Sequence, residues 1–137
     1  MKTILDKNQY ILIYKTSYLS LCSFCYALYN VQYKLSIVPC MVFLSSILYW
    51  HNPINSWRRY LDIVVVNICA LYQFNFAFRS TYAIPYYIIS CIGICFYPIG
   101  IYYFKKNNYW KSTYSHILLH IFANFANILL YSGNIID

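Results

Sequence analysis

The sequence predicts an all-α protein, a polytopic bundle of about five transmembrane helices, from three observations. Of 137 residues, 61% are apolar and only 9% are charged, too few charges to cover a water-soluble domain of this size. The apolar residues gather into five runs of roughly 16 to 23 residues, the length a helix needs to cross a ~30 Å hydrocarbon core. The runs do not alternate polar with apolar, which argues against the ~10-residue strands of a membrane barrel. The chain, 1–137, therefore reads as a single transmembrane domain.

The first run, about 10–30, extends from Tyr10 to Asn30. Lys15 and several hydroxyl residues weaken it, so it either crosses the membrane or lies tilted in the interface. The second, about 35–51, runs from Leu35 through Trp50 and stops at His51-Asn52-Pro53, where Pro53 disfavours a helical Asn52. The third, about 60–78, starts just after Arg58-Arg59. The fourth, about 82–104, is interrupted by Pro85, Gly93, Pro98 and Gly100, and the fifth, about 112–131, ends at Ser132-Gly133. Trp50, Trp57 and Trp110 lie next to loops and read as interfacial anchors. The first run carries no small-residue cleavage pattern, so it reads as a retained span rather than a signal peptide.

Short loops let positive charge report orientation. With the N-terminus inside and the C-terminus outside, the inner segments hold Lys2, Lys7, Arg58, Arg59, Lys105, Lys106 and Lys111, whereas the outer ones hold Lys34 and Arg79. Lys15 can reach the inner headgroups by snorkelling. The net charge of +7 is thus explained by topology. Cations scattered over short loops do not form the basic, aromatic-interleaved stripe of a nucleic-acid surface.

Ionisable groups within the spans are few. Glu is absent, and of Asp6, Asp62 and Asp137 only Asp62 lies between spans. The five-span count puts Asp62 on the same membrane face as all three histidines, His51, His116 and His120. On the fifth span His116, His120, Asn124 and Asn127 fall within an arc of about 80° at about 100° per residue, and such a polar stripe should face protein rather than lipid. On the third span Asp62 and Gln73 share a face with Cys69, which can turn toward the histidines. Two imidazoles at i and i+4 with a third from another helix can hold zinc and leave one coordination position open. Asp62 could then orient or deprotonate a bound water. The competing reading is that the histidines and asparagines fasten helices together, and that Asp62 pairs with Arg58 or Arg59 one turn earlier. Cys22, Cys25, Cys91 and Cys95 lack neighbouring ligands and read as small buried apolar thiols.

Three short motifs resemble the CREST superfamily of membrane hydrolases, which includes alkaline ceramidases, progestin/adiponectin receptors and the Per1 GPI-remodelling proteins. They are Ser45-Ser46-Ile47-Leu48-Tyr49-Trp50-His51, Leu61-Asp62-Ile63, and Ser115-His116-Ile117-Leu118-Leu119-His120-Ile121. The resemblance implies that His51, His116 and His120 bind zinc, that Asp62 and the nearby Ser46 hold a catalytic water, and that the substrate is a lipid amide or ester. The chain would be a shortened form, with five spans where the family has seven. In the family the serine precedes the histidine by four residues, whereas Ser46 precedes His51 by five. On an ideal helix that step separates them by about 140°, so either the helix end is irregular or the serine role is lost.

Two function classes follow. One is a zinc-dependent lipid hydrolase acting on membrane lipids. The other is a non-catalytic membrane protein, such as a small viral or organellar scaffold, whose His, Asn and Asp side chains pack helices.

Overall fold

The computed structural model describes residues 2–136, and their secondary structure is helical apart from one isolated bridge near the C-terminal end. The helices are α1 (Lys7–Thr16), α2 (Tyr18–Tyr29), α3 (Tyr33–Trp50), α4 (Trp57–Ala77), α5 (Ala83–Lys105) and α6 (Tyr109–Ser132). α1 and α2 are separated by Ser17 alone and together form a 23-residue apolar segment. With α3 to α6 this makes five segments long and apolar enough to cross a membrane. The first run is therefore long enough to cross despite Lys15.

The division between α1 and α2 has a local cause. Thr16 Oγ1 and Ser17 Oγ both donate to the Ile13 carbonyl, at 2.8 and 3.1 Å, and hydroxyls bonded back onto the preceding turn bend a helix. α4 begins after an extended Ser56. α6 follows Asn108, whose side chain accepts from the Lys111 backbone N–H, satisfying one of the donors a helix start leaves free. The fourth run is not interrupted as the sequence led us to expect. α5 is continuous through Pro98, and Gly93 and Gly100 serve its contact with α6. A Cβ on Gly93 would stand 3.0 Å from the Phe122 Cβ, and one on Gly100 would stand 3.5 Å from the Ser115 Cβ.

α5 packs along α6, α3 lies between α2 and α4, and α1 and α2 bridge to α6. α4 and α5 meet beside their connecting turn, where Tyr87 Oη donates to the Phe74 carbonyl and Gln73 Nε2 to Tyr86 Oη. Buried Leu5, Ile13, Tyr49 and Trp50 form one apolar core. A second consists of Ala27, Leu35, Ala77, Tyr86, Ala126, Leu130 and Tyr131. The two chain ends sit at opposite ends of the bundle. Ile4 N–H donates to the Pro53 carbonyl in the α3–α4 loop, whereas Thr81 N–H in the α4–α5 turn donates to the Asn134 carbonyl and Ile136 N–H to the Arg79 carbonyl.

The outer surface is apolar. Ile68, Leu71, Ile84 and Phe78 are among many large hydrophobic side chains left exposed, a surface that suits lipid and not water. Cys22, Cys25, Cys91 and Cys95 share that surface as free thiols, so the expectation of burial fails for them; Cys69 is buried. Trp57 and Trp110 are exposed beside loops, as expected of interfacial anchors, but Trp50 is buried at 8% exposure.

Candidate functional site

The polar stripe of α6 faces protein, and three of its members meet three different helices. The His116 ring lies 4.9 Å from that of Trp50 on α3. His120, one turn on, stands beside His116, on the helix that packs against α1. Asn124 Oδ1 accepts from Ser23 Oγ of α2 at 2.7 Å, and Asn127 Oδ1 accepts from Gln73 Nε2 of α4 at 2.6 Å. Gln73 extends the network: its Nε2 also donates to Tyr86 Oη of α5, and its Oε1 accepts from Tyr131 Oη. In a medium without water, these bonds are how buried amides and hydroxyls avoid the cost of standing unpaired.

Asp62, Cys69 and Gln73 are all buried on one face of α4, as the helical wheel requires. Asp62, at 9% exposure, does not pair with Arg58 or Arg59. Its Oδ1 accepts from Ser45 Oγ at 2.7 Å and Ser46 Oγ at 3.1 Å. Asp62 and Ser46 are thus brought together. Ser45 is an additional partner that the sequence reading did not assign a role, although it stands beside Ser46 in the same motif.

The three histidines do not gather. His116 and His120 are neighbours, with ring centroids 4.9 Å apart. His51 is exposed, its ring 6.2 Å from that of Tyr14. The end of α3 is regular, since His51 N–H still donates to the Ile47 carbonyl. The serine keeps its place beside Asp62, and the histidine is the group turned away. The residue one turn after Ser46 is Trp50, about 40° from it on the helix where His51 is about 140° away, and it is the Trp50 indole that lies against His116. Among the described residues no three His, Cys, Asp or Glu side chains converge in a metal-binding arrangement. The residues at this end therefore do not fit a three-histidine zinc centre as they stand. Trp50 Nε1 is buried and without a hydrogen-bond partner among the described residues, so the indole contributes a donor where a zinc ligand would contribute a lone pair.

Fold and surface together define a multi-pass α-helical membrane protein. No protein-family model, no curated protein and no solved structure matches the chain.

Proposed function

We propose that this protein is a non-catalytic multi-pass membrane scaffold in which α6 is the central post and its polar stripe fastens the other helices. The observation that carries this reading is the one-to-one pattern: His116, Asn124 and Asn127 each engage a different neighbour, on α3, α2 and α4. Side chains held this way supply specificity of packing, each interhelical bond contributing about 0.6 kcal/mol. Gln73 is the most connected member. Gln73→Leu should lower the thermal midpoint of the purified protein more than Asn124→Leu, because it leaves three partners unpaired. Equal, negligible effects of both substitutions would sink the scaffold reading.

A second reading, the shortened CREST-type zinc hydrolase, is favoured by the contact of Ser46 with Asp62 and by the adjacency of His116 and His120. It requires His51 to reach the place that Trp50 holds. Zinc, if bound, would supply a Lewis acid and an activated water. Metal analysis of the purified chain separates the two readings. The scaffold reading expects the same, non-stoichiometric zinc content in wild type, His116→Ala and His120→Ala. The hydrolase reading expects stoichiometric zinc lost in both variants, and Asp62→Asn retaining zinc while lowering lipid hydrolysis by about tenfold or more.

A further inference from the structure

A groove of about 520 Å³ runs along the outward side of α3, lined by Leu44, Ile47, Leu48, His51, Tyr14 and Arg58. Its α3 residues recur at steps of three, one and three, one stripe of a helix surface. The stripe is apolar for its first two turns and polar at its end. There the exposed His51 ring stands beside Tyr14, and Arg58 reaches back over the C-terminus of α3, its guanidinium toward the carbonyls of Leu48 and Asn52 at 3.4 and 3.5 Å. Those two long bonds fix the side chain and cover the negative end of the helix, leaving other N–H donors of the fork free. Among the described residues no carboxylate pairs with Arg58, and Asp62, one turn further on, is turned inward to the serines.

We propose that this groove binds one anionic phospholipid of the adjoining leaflet, its acyl chain along Leu44, Ile47 and Leu48 and its phosphate on Arg58, His51 and the Tyr14 hydroxyl, which accepts from Tyr18 Oη, 3.3 Å away, when it donates to the phosphate. A groove open to the membrane on an apolar bundle is filled by a lipid, and its charge selects which one. A cation and two further donors gathered at headgroup depth complement a phosphate carrying net negative charge, the pattern of a basic lipid pocket. The surrounding segments strengthen the field, since the N-terminal stretch, the α3–α4 loop and the α5–α6 turn, with Lys2, Lys7, Arg59, Lys105, Lys106 and Lys111, belong to the same end of the bundle. This inference depends on membrane insertion and not on whether the protein is a scaffold or a hydrolase. It also gives His51 a role distinct from metal binding.

The test is native mass spectrometry of the full chain in detergent, titrated with dioleoylphosphatidylglycerol, dioleoylphosphatidylcholine or inorganic phosphate. We expect one phosphatidylglycerol to be retained at least about fivefold more tightly than phosphatidylcholine, and inorganic phosphate not to compete. Arg58→Gln should weaken retention about fivefold, as expected for loss of one interfacial cation. Leu48→Trp, which fills the groove without altering charge, should also weaken it. Arg79→Gln, at the opposite end of the bundle, should leave it unchanged. Equal retention of the two lipids, displacement by inorganic phosphate, an unaffected Leu48→Trp variant, or equal losses in the Arg58 and Arg79 variants would each overturn the proposal.

Discussion

At the scale of single residues, Trp50 decides what the cluster at this end of the bundle can do. It shares the inward face of α3 with Ser45, Ser46 and Tyr49 and presents its indole to His116. Trp50→His should therefore place a third imidazole against the His116–His120 pair. We expect that variant to gain a zinc-dependent rise in thermal midpoint that wild type lacks, since a metal bound to the folded state stabilises it by mass action. Isothermal titration with zinc would check the stoichiometry. Part of this was legible in the sequence. The spacing of Ser46 and His51 already put them on different faces, but the motif as a string placed the histidine at the site, and string order conceals a rotation of about 100° per residue. The nearness of Ser46 to Asp62 could be anticipated from the motif, whereas the part played by Ser45 could not. The choice between Ser partners and an Arg58 ion pair could not, because it depends on how α3 and α4 rotate against each other. Val31 offers an independent test. It has a positive φ of 60° in the α2–α3 turn, a conformation a β-branched residue adopts at a cost of about 1–2 kcal/mol. Val31→Asn should raise stability by about 0.5–1 kcal/mol in a denaturation series, Asn being tolerant of this region.

At the scale of helices, the span limits were legible to within about three residues because hydrophobic length is set by bilayer thickness. The interior of each span was less so. Gly93 and Pro98 looked like interruptions, yet in α5 the glycine faces α6 and lets two backbones approach, the usual use of small residues between membrane helices. Replacing it separates the two helices. Gly93→Val should destabilise the bundle by about 1–3 kcal/mol through overpacking against Phe122, whereas Gly100→Ala, whose added methyl would make an ordinary 3.5 Å contact, should be neutral or mildly stabilising. Thermal unfolding in one detergent would rank the two. The break at Ser17 escaped the sequence reading for a different reason. Hydroxyl residues inside an apolar run look merely weakly helical, and what they do here, dividing α1 from α2 where α1 packs on α6, is visible only once α6 is in place.

For the molecule as a whole, charge predicts an orientation that follows from no single contact. The loops holding Arg58 and Lys106 should be labelled from the cytoplasmic side by a membrane-impermeant thiol reagent after cysteine substitution, and the turn holding Arg79 from the other side. Labelling of Arg58 and Lys106 positions from opposite sides would contradict the five-span path. The location of the post within the chain has a further consequence, for biogenesis. Ser23 and Gln73 reach the bilayer ahead of Asn124, Asn127 and Tyr131, which complete their bonds. Until α6 leaves the translocon, the earlier helices carry unsatisfied amides and hydroxyls in lipid, and they depend on one another or on an insertion chaperone to hide them. A nascent chain arrested before Tyr109 should therefore crosslink to membrane-insertion factors and be degraded quickly, and supplying α6 as a separate segment should rescue it.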